Sequence, residues 1–277
     1  MTNTNLRLIS AAVLLTIIIG GMLIGAQALL VVALFFGVIL VDELVTKFVV
    51  ESRKSWQYIF SQLLLIVPFV TIHFLVDKFP YYAELRYAAH ILNFILLLYL
   101  VSRQKMAAQF KKLLETAPFI LGLYILIPVI SLTSLMNAAN WREIFLGLII
   151  LNFSVDIFAW FFGKNFGKHK LWPAISPNKT VEGAVGGVVC SVILTSIYSY
   201  YMLHIFDLTS ILAFLFMACC AQAGDLIESK LKRQFDLKDS SSLIPGHGGM
   251  YDRVDSLLFV GPFYALFIAA HFPSIWS

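Results

Sequence analysis

The sequence predicts an all-α, polytopic integral membrane protein with about nine transmembrane helices. Of its 277 residues, 60% are hydrophobic and only 13% are charged, whereas charged residues make up about a quarter of a typical soluble domain. The apolar residues fall into runs close to the ~20 residues that a helix needs to cross a bilayer. This composition excludes a soluble enzyme, a disordered chain and a nucleic-acid-binding module.

Nine apolar runs bounded by charged residues are predicted to cross the bilayer. They cover residues 8–25, 26–41, 56–76, 85–101, 117–136, 144–163, 181–206, 208–224 and 256–272. The first two runs meet at Gly25, which predicts a tight helical hairpin. Ala26-Gln27-Ala28 after the first run also resembles a signal-peptide cleavage site. However, the run exceeds the usual ~7–15 apolar residues of a signal peptide, which favours a transmembrane helix.

The lysines and arginines predict the orientation of these helices. If successive loops alternate sides, 17 of the 20 lysines and arginines lie on the same side as the N-terminus. The other side receives only Lys78, Arg86 and Arg142. Because positively charged loops remain in the cytoplasm, we expect a cytoplasmic N-terminus and, after nine spans, a C-terminus outside.

We expect residues 1–277 to form a single membrane domain, because no Pro-rich or Gly/Ser-rich linker interrupts the apolar runs. Residues 1–136 carry no clear chemical motif. Residues 137–277 carry two loops with candidate catalytic residues, so this part is predicted to be the catalytic half.

Two smaller features lie in the first part of the chain. In residues 104–116, Met106 and Phe110 share a helix face that the neighbouring lysines avoid. This pattern fits a short helix on the cytoplasmic leaflet and equally fits an ordinary charged loop. Asp42 and Glu43 end the second apolar run and are predicted to pair with nearby lysines.

Acidic residues concentrate at the ends of the last two predicted spans. Asp225 and Glu228 end the eighth span and share a helix face, and Asp252 and Asp255 share a face at the start of the ninth. Carboxylates at this density repel one another unless a cation bridges them, and oxygen ligands suit Mg²⁺ or Ca²⁺. We predict that Asp225, Asp252 and Asp255 are the catalytic, metal-binding residues. Glu228 and the intramembrane Asp156 are predicted to support them without direct ligation.

Basic residues and glycines between these acids are typical of a polyphosphate site. The predicted substrate contacts here are Lys232, Arg233, Lys238, His247, Gly248, Gly249 and Arg253. A second loop supplies Ser176, Lys179 and Thr180 just before a predicted helix, whose free N–H groups favour an anion. Glu182, in the first turn of that helix, is a further supporting candidate. The three cysteines show no zinc-ligand spacing.

Residues 229–255 read S-K-L-K-R-Q-F-D-L-K-D-S-S-S-L-I-P-G-H-G-G-M-Y-D-R-V-D. This segment resembles the signature of the phosphatidate cytidylyltransferase family, which runs S-x-apolar-K-R-x4-K-D and then P-x-H-G-G-apolar-x-D-R-apolar-D. The upstream stretch I-S-P-N-K-T-V-E-G also resembles this family. Length, span count and the C-terminal position of the signature are similar to those of small bacterial members.

The resemblance implies a Mg²⁺-dependent transfer of a cytidylyl group from CTP to phosphatidate, which gives CDP-diacylglycerol and pyrophosphate. It also implies a multi-pass protein of the cell inner membrane with its active site facing the cytoplasm, possible use of a second cation, and a homodimer. An alternative is an ion-coupled transporter that uses Asp156, Asp225 and Asp255. That function would require intramembrane acids in both halves of the chain. A CDP-alcohol transferase is disfavoured because the chain contains no Asp-Gly pair.

Overall fold

A computed structural model of the chain describes residues 3–49, 52–76, 81–246 and 248–272. Ten α-helices and one short two-stranded sheet make up the described part. The helices are α1 Asn3–Ile24, α2 Ala26–Glu43, α3 Trp56–Val70, α4 Tyr82–Val101, α5 Gln104–Thr116, α6 Ile120–Thr133, α7 Trp141–Phe166, α8 Val181–Tyr198, α9 Leu208–Gln234 and α10 Tyr251–His271. The antiparallel strands are β1 Lys170–Trp172 and β2 Ser176–Thr180. The all-α prediction is therefore confirmed, with this hairpin as a small addition.

Seven helical segments in the described part are long and apolar enough to cross a membrane, and each lies where a span was predicted. They are Ala26–Val49, Trp56–Leu75, Ile120–Asn137, Trp141–Phe166, Val181–Leu203, Leu208–Gln234 and Tyr251–His271. The other two predicted spans coincide with shorter apolar helices, Ile9–Ile24 and Tyr87–Val101. Several segments end in a π-helical or 3-10 turn, such as Leu44–Val49 after α2.

The last two helices extend beyond the predicted apolar runs. Helix α9 continues to Gln234, and α10 begins at Tyr251 rather than near residue 256. Helical hydrogen bonding does not stop where hydropathy falls, because charged side chains with good helix propensity continue the helix toward the membrane surface. The acids predicted to flank these helices therefore lie within them.

The chain divides into two compact units, and each is built from two stretches of sequence. The first unit contains Met1–Thr133 and Leu231–Val254, and the second contains Ser134–Lys230 and Asp255–Ser277. Residues 231–254 of the signature segment belong to the same unit as the N-terminal helices, which the sequence did not indicate.

In the first unit, α5 is a helix rather than an irregular loop, and it packs against the end of α9. The ammonium of Lys111 donates a hydrogen bond of 3.1 Å to the carbonyl oxygen of Gln234 and lies over the ring of Phe235. The hydroxyl of Tyr99 donates to the side-chain oxygen of Gln234. These contacts fix α4 and α5 beside the beginning of the signature segment.

In the second unit, α7 and α8 pack closely through glycines of α8. A Cβ atom on Gly183 would lie 2.6 Å from the carbonyl oxygen of Ala159, and one on Gly187 would lie 2.6 Å from that of Val155. These positions accept no side chain, so the two glycines, four residues apart, allow the helices to pack closely.

Candidate active site

Three acidic side chains converge where α9 and α10 lie side by side in the second unit. Asp225 and Glu228 are one turn apart on α9, Asp255 is on α10, and one oxygen from each lies within 4.8 Å of the others. The helices can approach because Gly224 has no side chain. A Cβ atom there would lie 2.8 Å from the Cβ of Phe259. We call these three residues the acidic cluster.

The ammonium group of Lys179 contacts the acidic cluster. Its Nζ lies 2.7 Å from Oδ2 of Asp225 and donates a second hydrogen bond, 3.2 Å long, to Oε1 of Gln222. The hydroxyl of Ser229 donates to the other oxygen of Asp225 over 3.3 Å. The upstream loop and the acids of α9 therefore meet through Lys179 and Asp225.

The β1–β2 hairpin and the start of α8 determine where Lys179 lies. The hydroxyl of Thr180 caps α8 by accepting a hydrogen bond of 3.1 Å from the backbone N–H of Gly183. The carboxylate of Glu182 accepts hydrogen bonds from the backbone N–H groups of Lys168 and His169 and lies 2.6 Å from Nδ1 of His169. Thr180 and Glu182 therefore hold the backbone around Lys179.

The donor chemistry of the acidic cluster fits a hard divalent cation. Bonds from Mg²⁺ or Ca²⁺ to oxygen are about 2.0–2.6 Å long, so a single ion can reach oxygens this close together. Asp156 of α7 adds negative charge, because it is near enough to Asp255 to act on it electrostatically. Nearby carboxylates repel one another, and a divalent cation turns this repulsion into attraction.

Asp252 lies in the first unit and makes a different set of contacts. Its Oδ1 is 2.7 Å from Nζ of Lys232, and the pair is largely buried, with 6% and 11% of the respective side chains exposed. The backbone N–H of Gly249 donates to Oδ2 over 2.7 Å, and the N–H of Ser240 donates over 3.0 Å. The sequence predicted Asp252 as a metal ligand and Glu228 as a supporting residue. The structure places Glu228 in the acidic cluster and surrounds Asp252 with protein donors, and metal binding by Asp252 stays a prediction.

Glu43 is a second carboxylate that binds the signature segment. It is only 3% exposed and accepts hydrogen bonds from the backbone N–H groups of Met250 and Tyr251, 2.8 and 3.0 Å long. The hydroxyls of Ser240 and Ser241 donate to the same carboxylate over 3.1 and 2.6 Å. The predicted pairing of Glu43 with a lysine is therefore wrong: backbone and hydroxyl donors satisfy it. We call Glu43 and Asp252 the loop-holding pair.

The glycines of the signature segment allow this arrangement. Gly246 and Gly248 adopt φ values of 77° and 84°, which side chains disfavour. The N–H of Ile244 donates a hydrogen bond of 2.8 Å to the carbonyl oxygen of Gly248 and closes the turn. The N–H of Gly249, predicted to face the substrate, donates to Asp252 instead.

The remaining predicted substrate contacts lie in several environments. Arg233, Lys238 and Arg253 are exposed, and Nη1 of Arg233 donates to the carbonyl oxygen of Leu237 over 3.2 Å. Ser176 begins β2 and is half-buried. His247 lies outside the described residues.

Comparison with known proteins supports one family over nearly the whole chain. A model described as "Cytidylyltransferase family" matches residues 5–271. The chain belongs to the cytidylyltransferase family.

Individual relatives in this family match shorter segments. A phosphatidate cytidylyltransferase of Bacillus subtilis is 48% identical over 127 residues, which are 46% of this chain and 47% of the relative. A Staphylococcus haemolyticus protein of the same name is 47% identical over 110 residues, covering 39% of this chain and 42% of that protein. A Staphylococcus aureus protein of that name gives the same identity and coverage. The chain thus spans less than half the length of the curated relatives it matches.

Three residues of this family member escaped prediction from the sequence: Glu43, Gln222 and Gly224. Glu43 contacts residues about 200 positions later in the chain, so no local spacing could indicate its partners. Gln222 stands three positions before Asp225, on the same helix face, and that spacing was a usable signal. Gly224 could be recognised only once α10 was known to lie against it.

Proposed function

We propose that this protein transfers a cytidylyl group from CTP to phosphatidate, giving CDP-diacylglycerol and pyrophosphate. The observation that carries the proposal is the acidic cluster with the Lys179 ammonium beside it. Carboxylates that suit a divalent cation, next to a cation that suits a phosphate, are the groups that transfer between polyphosphates requires. Membership of the cytidylyltransferase family and the names of the relatives agree with this reaction.

We assign Mg²⁺ binding to Asp225, Glu228 and Asp255. When bound, the ion would neutralise charge on the α-phosphate and on the departing pyrophosphate. Asp225 already pairs with an ammonium group, which indicates that this carboxylate favours a positive partner. We also propose that a second cation can bind near Asp156 and Asp255.

The protein's own residues would bind and orient the substrates. An oxygen of the phosphatidate phosphate attacks the α-phosphorus of CTP, and the bond to the β-phosphate oxygen breaks. The attacking oxygen is already ionised, so no strong general base is needed. Lys179 exchanges its contact with Asp225 for a substrate phosphate, and we expect Lys232, Arg233, Lys238 and Arg253 to contribute positive charge. Catalysis would then consist of positioning and charge neutralisation.

Incorporation of labelled CTP into lipid tests the reaction. Purified protein in detergent, supplied with phosphatidate and Mg²⁺, should form a labelled lipid and release one pyrophosphate for each lipid made. Omitting phosphatidate should abolish both products. Pyrophosphate release without a labelled lipid would contradict the proposal.

We further propose nine membrane spans in the cell inner membrane, with a cytoplasmic N-terminus and active site and an external C-terminus. The 17-to-3 distribution of lysines and arginines supports this orientation. Cysteines placed at Ser242 and Ser274, in a background without the three native cysteines, should react from the cytoplasmic and external sides respectively. If both cysteines react from the same side of the membrane, the number of spans between positions 242 and 274 is not odd, and the proposed topology is wrong. A homodimer, implied by the resemblance, should show twice the 31.1 kDa chain mass in detergent.

A further inference from the structure

Gln222 lies in the acidic cluster's surroundings, and neither the sequence motifs nor the proposed chemistry gives it a role. It precedes Asp225 by three positions on α9, so both side chains lie on the same helix face. Only 7% of the residue is exposed. A buried side-chain amide needs hydrogen-bond partners for both its NH₂ group and its oxygen, because burial removes the water that would otherwise bind them.

Lys179 fixes the orientation of the Gln222 amide. The distance between Nζ of Lys179 and Oε1 of Gln222 is 3.2 Å. An ammonium group has only donors, so the atom facing it must be the oxygen. The NH₂ group therefore points away from Lys179.

The NH₂ group of Gln222 has no acceptor among the residues that the structure describes, although its nitrogen is fully buried. A buried, unsatisfied amide donor is unfavourable. Because Gln222 lies next to Lys179 and Asp225, we infer that a bound ligand supplies the missing hydrogen-bond acceptor.

We propose that Gln222 is a substrate-binding residue whose Nε2 donates a hydrogen bond to a phosphate oxygen. This inference rests on the proposed function and extends it to a residue outside the motifs. Any acceptor that binds between an ammonium group and a cation-binding cluster should carry negative charge, which favours a phosphate oxygen over the cytosine ring. Both CTP and phosphatidate supply such oxygens, and the experiment must distinguish them.

A competing explanation is that Gln222 only holds Lys179 in place. The two explanations differ for Gln222→Glu, which keeps an oxygen toward Lys179 but loses the NH₂ group. They also differ when Lys179→Ala and Gln222→Met are combined. If Gln222 acts only through Lys179, the double variant should behave like Lys179→Ala alone.

Equilibrium binding of labelled CTP and of phosphatidate in mixed micelles, each without the other substrate, tests the inference. We expect Gln222→Met and Gln222→Glu both to weaken binding of one substrate by roughly 10- to 100-fold, the effect of losing a hydrogen bond to a charged group. The substrate whose binding weakens is the one that Gln222 contacts. The double variant should bind more weakly than Lys179→Ala.

Gln62→Met is a matched control, because Gln62 is also a buried glutamine but lies on α3 in the first unit. Its binding of both substrates should match that of the unmodified protein. Normal binding by Gln222→Glu, or a double variant equal to Lys179→Ala, would overturn the inference. Failure of the unmodified protein to make lipid from CTP would instead disprove the proposed function.

Discussion

Two groups of carboxylates, one in each unit, have opposite surroundings. In the first unit, the loop-holding pair of Glu43 and Asp252 is surrounded by donors: backbone N–H groups, serine hydroxyls and the Lys232 ammonium. In the second unit, the carboxylates of Asp225, Glu228 and Asp255 lie close to one another, and Asp225 also has a lysine and a serine beside it. Both groups include acids of the signature segment, yet of the two only the second brings three carboxylates close enough together for one metal ion.

Acidic residues in one motif can therefore have separate physical roles. A buried carboxylate that accepts several hydrogen bonds is stabilised as it stands and fixes the backbone that donates them. Carboxylates that face one another raise the energy of the ion-free protein and lower it again when a cation binds. The distinction predicts opposite effects of removing one charge from each group.

The largest expected effect is on turnover, and it should follow removal of an acid from the acidic cluster. Asp255→Asn and Glu228→Gln should each reduce Mg²⁺-dependent turnover by a factor on the order of 100 to 1,000, comparable to losing one preorganised transition-state contact. In EDTA, Asp255→Asn should unfold at the same or a higher temperature, because repulsion is relieved. Turnover against Mg²⁺ concentration and thermal unfolding in detergent measure the two effects.

Glu115→Gln provides the control for this prediction, since Glu115 is an exposed acid at the end of α5. Its turnover should be unchanged. Asp252→Asn tests whether Asp252 differs in role from the acidic cluster, because the sequence predicted Asp252 as a metal ligand. If it shifts the Mg²⁺ requirement as strongly as Asp255→Asn does, the separation of the two roles is wrong.

The next effect is on stability, and it should follow removal of Glu43. Glu43→Ala would leave the buried N–H groups of Met250 and Tyr251 without their acceptor, whereas the Ser240 hydroxyl can still donate to Asp252. The expected loss is about 3 kcal/mol, since each of the two buried N–H groups left unsatisfied is unfavourable by roughly 1–3 kcal/mol. Glu43→Gln should lose less because it retains one acceptor oxygen. A lower unfolding temperature that Mg²⁺ does not restore would distinguish this variant from those of the acidic cluster.

Local patterns in the sequence predicted much of the architecture. Apolar runs predicted the seven long helices, because this signal depends only on the length of the run. The spacing of Asp225 and Glu228 predicted a shared acidic face, because that signal depends only on helical periodicity. The partner of Glu43 could not be predicted, because it depends on which distant segments meet. For the same reason, the sequence could not distinguish Asp252 from Asp255, although they are only three residues apart.

A smaller effect should follow Gly249→Ala, which tests how tightly the loop-holding pair encloses the backbone. A Cβ atom there would lie 2.6 Å from Oε2 of Glu43 and closer still to the hydroxyl of Ser240. Overpacking of this kind costs about 1–3 kcal/mol. Gly20→Ala is the matched control, because a Cβ atom at Gly20 of α1 meets nothing within 4 Å. Equal unfolding temperatures for the two variants would show that the loop can move aside.

The smallest effect should come from Asp42, the immediate neighbour of Glu43. Its carboxylate pairs with Arg53 over 2.7 Å and accepts a hydrogen bond of 2.9 Å from the hydroxyl of Tyr58, so its predicted lysine partner is replaced by an arginine. The Arg53 side chain is 68% exposed, and solvent and salt weaken such pairs. Arg53→Ala should therefore leave turnover unchanged and lower the unfolding temperature less than Gly249→Ala does, by an amount that shrinks as salt is added. A loss as large as that of Glu43→Ala would mean that burial does not separate these two adjacent acids.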